Sequence, residues 1–442
     1  MKHRFLIVSV LFTISFTSYV NAQDDIALND VVALALKRNY DIQLARNNSL
    51  ATTTNNGYAW AAFAPQLSAT GSALWNSNDQ SIKFQDATKN ASGTNESNNI
   101  AGSVLLNWTL FDGTKMFATR NRIAILAEQG ELLVKDQMIN TISSVITNYY
   151  NVVRQKQQLK AIQEQMAVSE ERVKLAEKKL QVGTGGKPEL LQARVDLNAQ
   201  RTQVLQQEAT IAQLKEQLNA LVGQQLPEVY DVGDTIIINA NLRADDILQN
   251  VENSNYSLQA AHRNFDIADL ALHERIGELF PTISFTGQYN YSKNENTRLI
   301  NPFSTIFSQT NGYNYGFTIA VPILNGFNTG RQIQLAKITS IRQRTLYDQL
   351  KTNVNVSIRN AYVNYDNALK VLTIEEETIL LAKENVFIAL ESFKRSVATY
   401  IELRTAQQSL ADAYNRLIAA RYNAKVAETE LLRLNGGLLL QE

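Results

Sequence analysis

Chemistry in this chain of 442 residues would be sought first among its histidines, its cysteines and its glycine-rich turns. There is no cysteine, which excludes disulfides, thiolate metal sites, thiol nucleophiles and a lipid carried on an N-terminal cysteine. Of the three histidines, His3 falls in a leader expected to be removed, while His262 and His273 lie eleven residues apart on one helical pattern. That separation is too long for a shared metal ion. The run GTGGK, Gly183 to Lys187, resembles a phosphate loop only faintly. It lacks the G-x-x-x-x-G-K-[ST] spacing, Pro188 follows the lysine, and it follows a helix rather than a strand. It reads as a turn, with Pro188 opening the next helix. No nucleophile, base and orienting group come together, so no enzyme, cofactor or metal site is expected. With 42 basic and 42 acidic residues the formal charge is zero, and nothing suggests a nucleic-acid partner.

The elements that position the remaining polar residues begin with an export signal. Lys2, His3 and Arg4 precede an apolar run from Phe5 to Phe16, and a Val-Asn-Ala site predicts cleavage after Ala22. No later run is long and apolar enough for a membrane helix, so any membrane-embedded part of the mature chain must be a barrel.

The chain also repeats itself. NYDIQLARNN, Asn39 to Asn48, matches NYSLQAAHRN, Asn255 to Asn264, at a shift of 216, which also carries Pro65, Ser68, Thr70 and Gly71 onto Pro281, Ser284, Thr286 and Gly287. LFDG, Leu110 to Gly113, aligns with ILNG, Ile323 to Gly326, at a shift of 213, as Glu189, Leu190, Ala193 and Leu197 do with Glu402, Leu403, Ala406 and Leu410. The first repeat is placed at residues 23–223, a connecting segment at 224–245, the second repeat at 246–436 and a short tail at 437–442.

Each repeat predicts a strand pair followed by a helical hairpin: strands near 66–76 and 99–111 with a hairpin near 114–222, then strands near 282–292 and 313–324 with a hairpin near 328–435. Ile283, Phe285, Tyr289 and Tyr291 alternate with polar residues, as do Tyr313, Tyr315, Phe317 and Ile319. Strands of about ten residues with this alternation suit a tilted bilayer crossing, the apolar positions facing lipid. The connections between paired strands are polar and read as long loops. Four strands cannot close a barrel, and their edges would invite aggregation unless other chains complete the sheet. In the hairpins, Leu403, Ala406, Leu410, Ala413, Leu417, Ala420 and Ala424 follow a 3–4 spacing, as do Leu190, Ala193, Leu197, Val204 and Ile211 with glutamine at two intervening seam positions. These are coiled-coil seams.

The order of these motifs, ending in YNRLIAARYNAKVAETELLRLNG (Tyr414 to Gly436), resembles the TolC-like outer-membrane efflux proteins over essentially the whole mature chain. That resemblance implies a mainly α fold with a membrane β-barrel portion. Three copies would each give four strands to a twelve-stranded barrel and their helices to a long periplasmic tube. It implies an outer-membrane exit channel of an efflux pump or type I secretion system, set in outer-membrane lipid and reaching into the periplasm. The partners would be a periplasmic adaptor and an inner-membrane pump. A trimeric periplasmic coiled-coil scaffold or adhesin without a pore is the competing reading.

The resemblance also marks candidate residues. Val182, Gly183 and Thr184 at one hairpin tip, and Val397, Ala398 and Thr399 at the other, match positions that meet the adaptor. Ala398 stands where glycine is usual, and the first turn reads as the longer. Glu402 matches an acidic ring at the closed entrance, whose second member falls on Thr405; Glu189 is its twin in the first repeat. A ring of Glu402 carboxylates and a glutamate that merely suits a helix N-terminus remain equal alternatives. Arg404 would offset that ring or pair with Glu189.

Overall fold

The computed structural model describes residues 25–227, 230–300, 304–395 and 397–439. The expected signal peptide, residues 1–22, lies outside them. In chain order the elements are β1 (Asp25–Ile26), α1 (Leu28–Arg38), α2 (Tyr40–Gly57), β2 (Gln66–Ile82), β3 (Ala91–Asp112), α3 (Lys115–Gln181) and α4 (Lys187–Leu221). There follow β4 (Asp231–Val232), α5 (Ala244–Gln249), α6 (Val251–Ser254), α7 (Tyr256–Gly277), β5 (Thr282–Arg298), β6 (Phe307–Ala320), α8 (Asn328–Lys394) and α9 (Tyr400–Leu434). The duplication is legible in their lengths. Helices α3 and α8 are both 67 residues, and α4 and α9 both 35. No described helix is apolar and long enough to cross a membrane.

The chain divides into two compact units. The first comprises the described residues of 1–39, 141–241 and 364–429. Its core joins Val31 and Ala35 of α1 to Val145, Tyr149, Val152 and Val153 of α3 and to Ile211, Leu218 and Val222 of α4. The connecting segment closes over this core with Leu226, Tyr230, Val232 and Ile236. Parallel pairing of β1 with β4 ties it down, as do a 2.9 Å bond from the Tyr149 hydroxyl to the Ile26 carbonyl and Lys156 Nζ at 2.8 Å from both Asp231 and Asp234. The helical hairpins zip along the seams that the spacing predicts. Val173 and Ala176 meet Leu190, Ala193 and Leu197, and Ile379 meets Ala413 and Leu417. Small alanines at alternate seam positions let the backbones approach, which is why Ala193, Ala406, Ala413 and Ala424 are buried.

The second unit, residues 40–140, 242–363 and the described part of 430–442, carries a four-stranded antiparallel sheet of order β2-β3-β5-β6. Its strands outrun the alternating stretches. Asn78 pairs with Asn95 and Asp79 with Thr94, and β5 continues to Arg298. The long polar loops expected from sequence are therefore mostly hairpin extensions, because the backbone ladder continues whatever the side chains are. At the other end the last strand stops at Ala320, short of the expected Leu324.

Each repeat is closed by the same latch. Asn39 Nδ2 donates to the carbonyl of Leu221 at 2.9 Å, and its twin Asn255 donates to that of Leu434 at 2.9 Å. Both asparagines are buried, so each satisfies an end-of-helix carbonyl that has lost water. Beside them Gly223 (φ +70°) and Gly436 (φ +72°) turn in the left-handed region, against the carbonyls of Arg38 and Ser254. A Cβ would be strained by the backbone and blocked by the carbonyl. Gly223→Ala and Gly436→Ala are each expected to destabilise the protein by about 1–3 kcal/mol, read as a lowered melting temperature of the helical circular dichroism. Gly183→Ala, at φ +77° but with open space around it, should cost only the backbone part, about 1 kcal/mol.

Candidate functional site at the helical tips and on the sheet

The two tips close in the same way. Thr184 and Gly185 donate their N–H groups to the Lys179 carbonyl, and Val397 and Ala398 donate theirs to the Ser392 carbonyl. Both turns occupy five residues, 182–186 and 395–399. The first tip is therefore not the longer one. The true twin of Ala398 is Gly185, not Gly183; matching valine to valine shifts the comparison by two residues. Val182 and Val397 project at 73% and 80% exposure, a pair of uncovered apolar groups on otherwise polar turns.

The acidic twins differ. Thr399 and Glu402 form a capping box: the Glu402 carboxylate accepts from the Thr399 N–H at 2.7 Å, and the Thr399 hydroxyl accepts from the Glu402 N–H at 3.3 Å. Glu402 thus has a structural task at the start of α9. At Glu189 the helix is preceded by Gly186, which brings no side-chain cap, and one carboxylate oxygen is enclosed without a hydrogen bond. Thr405 donates its hydroxyl back to the Ile401 carbonyl at 2.9 Å. Arg404 does not pair with Glu189. Its Nε lies 3.6 Å from Asp196 of α4.

Asp196 is the centre that the residue types did not announce. Its Oδ2 accepts from Arg172 of α3 at 2.8 Å and from the Tyr400 hydroxyl of α9 at 2.9 Å, and its Oδ1 accepts from Gln192 at 2.8 Å. Arg172, 3% exposed in its side chain, also donates to Gln407 at 3.1 Å and lies over the Tyr400 ring, 5.1 Å from its centre. Three helices are joined at one carboxylate. Burial alone would raise the Asp196 pKa. The hydrogen bonds from Gln192 and Tyr400 and the charges of Arg172 and Arg404 outweigh it and hold the carboxyl below its ordinary range. Burial, then the bond to Asp196, pushes the Tyr400 phenol up. The only sequence signal for this cluster was that Arg172 and Asp196 each stand one residue before a seam position, Val173 and Leu197.

On the sheet, Ile283 lies opposite Ile319, Phe285 opposite Phe317 and Tyr289 opposite Tyr313. Tyr315 lies opposite Gly287 and Tyr291 opposite Asn311, so all eight expected positions share one face. Val104, Leu106 and Trp108 of β3 and Leu67, Ala69 and Trp75 of β2 continue it. The face is uncovered within the chain: Tyr313 is 79% and Phe317 70% exposed. The opposite face carries Ser68, Thr70, Ser103, Thr286, Gln288 and Thr318, with Thr70 and Ser103 sharing a 2.9 Å hydroxyl hydrogen bond. His262 and His273 bind only aspartates and backbone of their own helix at hydrogen-bond distance, Asp266 at 3.2 Å and the Asp269 carbonyl at 2.8 Å.

Comparison with known proteins points one way. The outer membrane efflux protein family matches residues 31–224 and 247–437. The cation efflux system protein CusC of Escherichia coli K12 is 24% identical over 96% of this chain and 92% of its own length. A crystal structure of CusC superposes with a TM-score of 0.76 at 19% identity, covering 96% of each chain. The Campylobacter jejuni CmeC outer membrane channel gives 0.75 at 17% identity over 98% of this chain and 94% of that one. The fold is that of the TolC-like channels.

Because the folded pKa of Asp196 is lowered, its stabilising contribution is full above the unfolded value, about 3.9, and is lost as pH falls through the folded one. The fall in melting temperature between about pH 5 and pH 2.5 should therefore be smaller in Asp196→Asn than in the parent protein. Equal slopes would remove Asp196 from the acid response.

Proposed function

The chain belongs to the outer membrane efflux protein family, and on that premise we propose that three copies close one passive duct, fed from the periplasm by an inner-membrane pump through a periplasmic adaptor. The protein is an outer-membrane exit channel that extends into the periplasm. Efflux or type I secretion needs nothing more of it than a conduit, so neither catalysis nor a cofactor enters the proposal.

One observation carries this reading: a sheet with a continuous apolar face, an opposite face that is polar apart from residues such as Leu74 and Leu105, and two edges without partners among the described residues. In lipid every backbone N–H and C=O must be paired within protein, and an open four-stranded sheet leaves two rows unpaired. Closing the ring with further copies pairs both rows, turns Phe285, Tyr313 and Phe317 to lipid and turns Thr70, Gln288 and Thr318 to water. A periplasmic scaffold without a pore would have no use for such a face. The tips, with Val182, Gly183 and Thr184 and with Val397, Ala398 and Thr399, are the proposed adaptor contacts. Glu189, Glu402, Arg404 and Thr405 line the proposed entrance.

Single cysteines placed in this cysteine-free chain test the orientation. Lys89, 72% exposed in its side chain between β2 and β3, should react in intact cells with a bulky impermeant maleimide, and Val182 should not. Lys89→Cys that reacts only after permeabilisation would sink the barrel.

The two readings of Glu402 separate by substitution. Glutamine keeps the capping box, which accepts Glu or Gln, but removes the charge. If three Glu402 carboxylates also ring the entrance, Glu402→Gln should raise resting conductance in planar bilayers and weaken block by divalent cations. Unchanged currents together with an unchanged melting temperature would leave Glu402 as a cap alone.

A further inference from the structure

The strands sort charge as well as polarity. Residues opposite one another in a ladder share a face, so the registers assign each side chain of β2, β3, β5 and β6 either to the face of Phe285 and Tyr313 or to the other one. The charged residues of these strands are Asp79, Glu96, Lys293, Glu295, Arg298 and, at the turn into α3, Asp112. Asp112 has a local task, since its carboxylate accepts from the Met116 N–H at 3.0 Å. The others lie at the far ends of the hairpins, and all of them stand on the face of Phe285 and Tyr313. Asp79 is opposite Thr94, Lys293 lies between Ile100 and Gln309, and Glu295 lies between Asn98 and Phe307.

Arg298 reaches that face only through a break in the ladder. Counted by twos from Asn294 and Asn296, it would fall on the opposite side. Instead Asn296 lies opposite Ser97 and Arg298 opposite Glu96, so Thr297 is an extra residue in β5. A bulge of this kind re-aims the side chain that follows it. Arg298 is thereby turned to the outer side, where its Nη1 lies 3.8 Å from Glu96. Its neighbours there are also partnered: Lys293 lies 3.3 Å from Glu295, and Asp79 accepts from the Thr94 hydroxyl at 2.6 Å.

The opposite face holds no charge among the described residues of the four strands. Carboxamides recur along its length, with Asn78 opposite Asn95, Asn99 opposite Asn294 and Gln288 opposite Asn314. Contact with water alone does not require this, because lysine or glutamate is hydrated at least as well as asparagine. Nor do these strands avoid charge, since the same stretches admit it on their other side. What is excluded is charge on one face.

We propose that this face is a charge-neutral lining of the outlet, so that the barrel passes cargo of either sign and leaves any choice between cations and anions to the helical tube. This rests on the trimeric channel reading and adds to it the selectivity of the outer part. A carboxamide offers both N–H donors and a carbonyl acceptor, so it can solvate an anion or a cation. Rings of carboxylates or of basic side chains favour one sign. In a trimer each residue of this face occurs three times around the lumen, so one inward charge becomes a ring of three. Arg298 would make such a ring without the bulge. On the outer side the same charges meet headgroups and water and leave the pore neutral.

The test adds charge to channels that have already folded. Asn314 is exposed on the neutral face and Gln309 is exposed on the outer one, and each is replaced singly by cysteine in the cysteine-free chain. Reversal potentials across planar bilayers in dilute salt, about 0.01 M where the Debye length is about 30 Å, give the ratio of cation to anion permeability. An anionic methanethiosulfonate on Asn314→Cys should raise the ratio and a cationic one should lower it, each by about twofold or more. The same adducts on Gln309→Cys, their completeness checked by mass spectrometry, should leave it unchanged, as should Asp79→Asn and Lys293→Gln. Asn314→Cys adducts of both signs that leave the ratio where it was would show that this face does not line the conducting path. A shift from the Gln309→Cys adducts, from Asp79→Asn or from Lys293→Gln would show that charge already faces the lumen. Either result overturns the neutral lining. Protein that forms no channels before modification overturns the channel reading instead.

Discussion

The unpaired edges of the sheet constrain everything else in this molecule. A backbone amide in hydrocarbon has no water to fall back on, so a strand edge in a membrane is tolerated only when another strand covers it. Among the described residues, four strands with polar and apolar faces already sorted leave the outer edges of β2 and β6 unpaired. The strands can be long, with the ladder of β2 and β3 running to Ile82 and Ala91, because each added residue pair satisfies its own backbone groups. What length cannot supply is closure. In the proposed ring the β6 edge of one copy meets the β2 edge of the next, and the two strands point in opposite directions, as neighbours in an antiparallel ring must.

Duplication supplies the rest of the construction at little cost in new design. Helices of equal length follow each strand pair, and the same asparagine latch and left-handed glycine finish both repeats. A ring built from such halves has alternating junctions that resemble one another without being identical. The junction inside the chain is reached during folding, when the partners are tethered, and ion pairs between Arg122 and Glu274 or Lys115 and Glu278 fix its register.

Much of this was legible in the sequence because period-two and period-3.5 patterns report faces directly. The alternation over Ile283 to Tyr291 and Tyr313 to Ile319 located the apolar face, and the Leu/Ala spacing located the seams. Strand ends were not legible: beyond Asn76 and Ser292 the side chains are polar on both faces, so the pattern stops while the hydrogen bonds continue. The tip register is hidden in the sequence because Val182 and Thr184 match Val397 and Thr399 in residue type at a shift of 215, two away from the shift that the hydrogen bonds obey. Only the shared carbonyl acceptors, Lys179 and Ser392, show that Gly185 and Ala398 are twins. The Asp196 cluster was invisible for a different reason. Its members come from three helices, and nothing in the spacing of Arg172, Asp196 and Tyr400 says that they meet.

That cluster also shows where the two repeats have stopped being copies. The twins of Arg172 and Asp196 are Asn385 and Ser409, and the twins of Tyr400 and Arg404 are Lys187 and Leu191, so no second network of this kind can form. The acidic pair has diverged in the same region, with Glu402 engaged in its capping box and Glu189 left with an enclosed, unbonded oxygen. Where the halves must match to close a ring, at latch, helix length and strand register, they match to the residue. Near the tips they do not. The network also crosses the repeats: Tyr400 and Arg404 of α9 meet Asp196 of α4, and Arg172 of α3 reaches Gln407, so the residues that distinguish the halves are the ones that tie the two hairpins of a chain to each other.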